Sequence, residues 1–196
     1  LPRYSYHLYA ASISRQYLDY LNNQFAFVEA LPRHIYYQLI VRLYRNDYGW
    51  EQKARWNEKH PNIKLDTGAR NIKQLISKSR IYISTYNATT FLESFALNVP
   101  TVMFWNPKHW ELHKSAKPYF EQLKEVGVFH ETPESAAKHI TKIWDNVDDW
   151  WTSKSVATAL NYFCENYNKT NKNIVNAIQK ELINLRMNKV KTSINK

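Results

Sequence analysis

Ile81-Tyr82-Ile83-Ser84-Thr85, the span from Thr89 to Leu97, and Thr101-Val102-Met103-Phe104-Trp105 form the stretch that decides the fold. The two outer runs are short and apolar, which suits buried strands. Between them Phe91, Leu92 and Phe95 recur at helical spacing, and Pro100 marks the return to an extended chain. A helix between two strands carries the chain back to its starting edge, so the strands pair in parallel.

The same alternation continues outward in both directions. Upstream lie a strand at Leu39–Tyr44, a polar helix from about Glu51 to Lys59, a strand at Ile63–Asp66, a Thr67-Gly68 turn and a one-sided helix marked by Ile72, Leu75 and Ile76. Downstream lie a helix from Leu112 to Val126 closed by Gly127, a brief strand Val128–His130, and a helix opened by Thr132-Pro133-Glu134 that runs to about Trp144. Proline suits the first helical position because its missing N–H would have no partner there. A first helix spans Ile13 to Ala30, and helices at Ser153–Tyr167 and Asn171–Leu185 end the pattern. The expected class is α/β: a Rossmann-like parallel sheet with helices on both faces, ending in a C-terminal helix pair. No repeat or linker divides it, so residues 1–185 read as one domain. Residues 186–196, with Arg186, Lys189, Lys191 and Lys196, read as a basic, solvated and disordered tail.

Charge narrows the partners. Lys plus Arg is 27 against 17 Asp plus Glu, a net +10 in 196 residues, which suits phosphates, an anionic lipid surface or nucleic acid. Aromatics make up 15% of the chain. Most fall on periodic apolar positions, which favours a core over the base-stacking groove of a nucleic-acid binder. A single cysteine, Cys164, cannot form an internal disulfide, which fits a reducing cytosol. No apolar run approaches the roughly 20 residues a membrane span needs. The expected location is cytoplasmic, with peripheral contact to the inner membrane face allowed by charge. The chain opens without Met in a loop, Leu1–Tyr6, and so reads as a piece lacking upstream sequence.

In open α/β sheets, ligands sit at the carboxyl ends of strands. With only Gly49, Gly68 and Gly127, the chain has neither GxGxxG nor GxxxxGK[ST], which disfavours a dinucleotide fingerprint and a P-loop. One post-strand turn is instead rich in small polar groups: Ser84, Thr85, Asn87, Thr89 and Thr90. Hydroxyls and helix amides together can hold a diphosphate. The plainer alternative is helix capping by Asn87 or Thr89. Thr90 and Glu93 have capping-box spacing, and spacing alone favours that role for Glu93.

Leu92-Glu93-Ser94-Phe95-Ala96-Leu97-Asn98-Val99-Pro100-Thr101-Val102 resembles the LEAxAxGxPVV segment of GT-B glycosyltransferases. Asp66-Thr67-Gly68 followed by Ile81–Thr85 resembles that family's base-binding loop and the strand after it. More narrowly, Thr85–Glu93 with Phe104-Trp105-Asn106-Pro107-Lys108-His109-Trp110-Glu111-Leu112 looks like a bacterial group of transferases of surface carbohydrate biosynthesis. This resemblance implies the donor-binding half of a two-domain enzyme whose N-terminal acceptor domain, with the general base, lies outside this chain. It also implies that the last helix crosses back toward that other domain. By the same resemblance Glu93 binds the nucleotide ribose and the loop at Lys64, Leu65 and Gly68 reads the base. Arg42 then joins Thr85, Asn87, Thr89 and Thr90 at the diphosphate, and His109, Trp110 and Glu111 touch the sugar. Asn98 replaces the usual glycine, a mild departure because Asn tolerates a left-handed helix end. The implied partners are a nucleotide-sugar donor and a carbohydrate or lipid-linked acceptor, with no cofactor and no essential metal, since basic groups and helix dipoles stabilise the diphosphate. A CDP-polyol phosphotransferase, a GT-B-like sugar-nucleotide epimerase and, from another class, a basic nucleic-acid-binding domain remain alternatives. The remaining polar groups read as structural. His130 suits a cap or a core position equally, and Asp145, Asp148 and Asp149 read as solvating a loop beside Trp150 and Trp151, whereas His7, in the opening loop Arg3–Tyr9, is a weaker candidate for lining the cleft.

Overall fold

The computed structural model describes residues 16–47, 49–169 and 173–194, with side chains of the last helix described to residue 185. In chain order these form α1 (Tyr17–Glu29), α2 (Arg33–Tyr36), β1 (Ile40–Arg42), α3 (Gln52–Lys59), β2 (Lys64–Asp66), α4 (Ile72–Ser77), β3 (Tyr82–Ser84) and α5 (Thr90–Ala96). Then come β4 (Thr101–Phe104), α6 (Lys117–Glu125), β5 (Phe129–His130), α7 (Pro133–Ile143), a 3₁₀ turn Trp144–Asn146, α8 (Val147–Trp151), α9 (Lys154–Tyr167) and α10 (Ile174–Ile194).

All strand pairs are parallel. β1 pairs with β2, with Arg42 opposite Asp66. β3 pairs with β4, and β4 with β5. The alternation of side chains along a strand explains why every residue of β4 is buried. Val102 and Phe104 point into one core with residues of α1, α2, α3 and α7. There Phe104 stacks on Phe27, their centroids 4.9 Å apart. Met103 and Trp105 point the other way, into a second core with Phe91 and Phe95 of α5, Phe120 of α6 and Phe163 of α9. The first core spans both strand ladders, since Leu43, Val41, Ile63, Leu65, Ile81 and Ile83 all pack into it or against it. Helices therefore cover both faces of the β3–β5 ladder, as the apolar runs require.

Several boundaries differ from the sequence reading. α6 begins at Lys117 rather than Leu112, because Pro118 fits only the first turn of a helix. Asp148 and Asp149 lie not in a loop but in the first turn of α8, where they complement the positive end of the helix dipole. Helix α10 passes Leu185 and continues to Ile194, in a segment of Leu, Met, Lys and Arg with no Gly or Pro to stop it. His7 lies outside the described residues.

Candidate functional site

The carboxyl ends of β3 and β4 meet helix α1. Tyr20 and Gln24 stand four residues apart on that helix and so share a face. Both reach the Thr85 hydroxyl: the Tyr20 oxygen lies 3.0 Å from Thr85 Oγ1, and Gln24 Nε2 donates to it at 2.9 Å. The Tyr20 ring also meets Tyr86 edge-on at 6.2 Å and Trp110 at 5.7 Å. Helix α1 thus latches onto the turn that follows β3. Burial raises the Tyr20 pKa far above the usual phenol range, so the hydroxyl is a neutral hydrogen-bonding group.

This geometry gives several of the expected site residues partners within the chain. The Thr85 hydroxyl has two side-chain partners from α1: it accepts from Gln24 Nε2 and lies beside the Tyr20 hydroxyl. Trp110 is only 8% exposed and is wedged against Tyr20 and Tyr86. Its ring belongs to the second core, where a large aromatic area is out of water. His109 beside it has a side chain 11% exposed. Its Nε2 lies 4.0 Å from an Asp19 carboxylate oxygen on α1, and its Nδ1 is buried without a partner. Glu111 is exposed.

Helix α5 starts at Thr90 with Thr89 as its N-cap residue, and no side chain caps it. Neither Asn87 nor Thr89 therefore performs the capping that would explain the polar turn. Thr89 is exposed, while Asn87 and Thr90 are half-buried. Glu93 lies inside the helix, one residue too far along for a capping box with the cap residue. Its Oε2 is buried and has no hydrogen-bond partner. It lies close enough to Tyr82 that its charge adds to the rise in that phenol's pKa, which comes chiefly from burial. An unpaired buried carboxylate oxygen is costly, and a donor such as an ordered water or a ligand hydroxyl would satisfy it.

At the ends of β1 and β2, Arg42 forks onto the following loop. Its Nη1 donates to Asp66 Oδ2 and, at 3.0 Å, to the Arg70 carbonyl. Its Nη2 donates to the Gly68 carbonyl at 3.4 Å. The ion-pair partner of Arg42 is therefore Asp66, while Asp47 serves the next helix. Asp47 instead accepts the Glu51 and Gln52 backbone N–H groups at the start of α3, each at 2.8 Å. Arg70 Nε lies 3.9 Å from the other Asp66 oxygen. Arg42 also lies near Tyr86. There its charge opposes burial, which raises that phenol's pKa, and a Thr90 hydrogen bond opposes it as well. Of the three residues expected to read a base, Lys64 and Leu65 belong to β2 itself, and Leu65 packs against the first core. Only Gly68 stands in the loop, at φ +83° with the Arg45 backbone directly behind it.

Sequence reasoning missed Asp19, Tyr20, Gln24 and Arg70. The spacing of Tyr20 and Gln24 was a usable signal for a shared helix face, but nothing local says which strand end that face crosses. His130 proves structural, with Nδ1 3.2 Å from Ser135 Oγ and Nε2 3.0 Å from the Gly127 carbonyl. A separate cleft of about 430 Å³ between α5 and α9 is lined by Phe95, Asn98, Trp151, Leu160 and Cys164, and by none of the expected site residues.

No curated protein and no solved structure matches the chain. The sequence model of the LIC12162 family of transferases matches residues 1–182. With a transferase family covering nearly the whole α/β unit, and with polar groups gathered at its strand ends, the chain belongs to the LIC12162 family of transferases.

Proposed function

We propose that this transferase is a glycosyltransferase and that the chain is its donor-binding part, holding a nucleotide-activated sugar at the carboxyl edge of β1 to β4. The observation that carries the reading is Glu93, whose buried Oε2 lacks a donor. A ribose hydroxyl is such a donor, and an ionised acceptor strengthens the bond. Asn87, Thr89 and Thr90 are the polar side chains of the turn left for the diphosphate. The Arg42 fork holds the Asp66–Arg70 loop in one shape, so that backbone groups beside Gly68 can face a base. Arg42 acts here as a positioning residue. In the transfer itself an acceptor hydroxyl attacks the anomeric carbon, the bond from that carbon to the diphosphate oxygen breaks, and the nucleoside diphosphate leaves. The acceptor proton goes to a base that we place outside this chain. The acceptor we favour is a surface carbohydrate or a lipid-linked sugar.

The test is nucleotide binding by calorimetry with UDP, GDP and CDP and their 2′-deoxy forms. One ribonucleotide should bind, and its 2′-deoxy form should bind about tenfold or more weakly, the worth of one charge-assisted hydrogen bond. Glu93→Gln should remove that discrimination while leaving the unfolding temperature unchanged or higher, because the side chain makes no hydrogen bond through Oε2 that the substitution would break. Equal binding of ribo and deoxy forms by the unmodified chain, or no binding of any nucleotide, would sink the proposal. Preference for CDP alone would favour a polyol-phosphate transferase instead.

A further inference from the structure

Helix α10 carries its apolar side chains outward. Ile174, Val175, Ile178, Leu182 and Leu185 are 60, 73, 53, 61 and 61% exposed. Their spacing puts them on one stripe of the helix, with Glu181 at its edge and with Asn176, Gln179, Lys180, Asn184 and one further exposed aliphatic residue, Ile183, on the other sides. Nothing among the described residues covers the stripe. Five aliphatic side chains in a row on one exposed helix form a patch that singly scattered surface residues do not.

The charge around the stripe says what fits it. Residues 169–196 hold seven Lys or Arg and a single acid, Glu181. Two such segments laid side by side would repel, which disfavours a second copy of the chain. A surface of anionic headgroups over hydrocarbon meets both properties at once. Aliphatic side chains enter the acyl boundary while lysines and arginines stay among the phosphates. None of the described helices is long and apolar enough to cross a membrane, so the geometry is that of a helix lying in the plane of the interface.

We propose that α10 is a membrane-surface anchor, selective for anionic lipid, that holds the domain at a bilayer. The inference rests on the α10 stripe and its charge and not on the donor reading, so either can fail alone. It is tested by co-sedimenting the full chain with phosphatidylcholine vesicles and with vesicles containing about one-third phosphatidylglycerol. Binding should appear with the anionic vesicles and fall by about tenfold or more between low and high salt, as screening requires. The paired substitution Ile178→Gln with Leu182→Gln should lower that binding by about tenfold or more, because two large aliphatic side chains no longer leave water. Its unfolding temperature should be unchanged, since these side chains are more than half exposed and no described residue covers them. Absence of vesicle binding would overturn the proposal. So would binding that the paired substitution leaves intact, which would be adsorption by charge alone. A dimer in analytical ultracentrifugation that the same substitution dissolves would assign the stripe to a second copy instead.

Discussion

Gly127 shows how far one residue can be constrained. It ends the turn after α6 at φ +79°, a region that costs other residues about 1–2 kcal/mol. A Cβ built there would lie 2.3 Å from Cε1 of the His139 ring, and that ring is itself packed 5.0 Å from Trp150. Gly127→Ala should therefore destabilise the chain by about 2 kcal/mol or more, measured by urea unfolding. The pair Gly127→Ala with His139→Ala should recover the steric share and leave only the backbone cost. If the two changes were simply additive, the clash would not be the cause. Glu93 is the converse case, because its cost is already present in the native chain. That is why its replacement is expected to remove ribose discrimination without lowering stability. The sequence carried the position of Glu93 but not its state. Its capping-box spacing with Thr90 pointed to a satisfied carboxylate, whereas the helix starts one residue earlier than that pattern indicated, with Thr89 as its cap residue, and Oε2 has no partner.

At the scale of elements, the end of α5 is the best-determined feature. Asn98 N–H donates to the Phe95 carbonyl at 2.9 Å and Val99 N–H to the Ser94 carbonyl at 3.0 Å. With Asn98 at φ +52°, this is the paired pattern of a Schellman end. The asparagine does something a glycine there would not: its Oδ1 accepts Trp151 Nε1–H at 3.0 Å and ties α8 to the end of α5. Asn98→Gly should relieve the backbone but free the indole, for a net loss of at most about 1 kcal/mol. Asn98→Ala loses both features and should cost about 2 kcal/mol. Denaturant midpoints would rank the three chains, and an alanine variant as stable as the parent would refute the assignment. Elements such as α5 and β4 were legible in the sequence because their apolar periods are local. The start of α6 was misread because the apolar pattern from Leu112 onward outweighed Pro118. The roles of Thr85, Trp110 and Arg42 were not legible. Each is fixed by a partner far along the chain, Tyr20 and Gln24 for Thr85, Tyr20 for Trp110 and Asp66 for Arg42, and spacing does not encode such pairings.

At the scale of the whole molecule, two cores lie on opposite sides of the β3–β5 sheet, and few of the described side chains touch both. Tyr20 and Trp150 are two that do. Trp150 also donates its Nε1–H to the Val126 carbonyl at 3.0 Å. His139 of α7 sits against that indole and 5.2 Å from the His130 ring. Burial, with the nearby His130 and Lys142 adding, pulls its pKa down from 6.5 to about 4, and burial lowers that of His130 as well. Above pH 6.5 both the folded and the unfolded imidazoles are neutral and contribute no slope. As pH falls from 6.5 towards 4 the unfolded chain takes up a proton that the folded chain refuses, so stability is lost across that window and levels off below it. Allowing for the partial exposure of the ring, His139 should account for a loss of about 1–2 kcal/mol. Because the charge would arise beside a side chain shared by both cores, unfolding should remain a single transition at either end of the window. His139→Asn should flatten the dependence of unfolding free energy on pH between 6.5 and 4. A slope that persists unchanged in that variant would place the acid sensitivity elsewhere, and two separated transitions at low pH would show that the cores unfold independently.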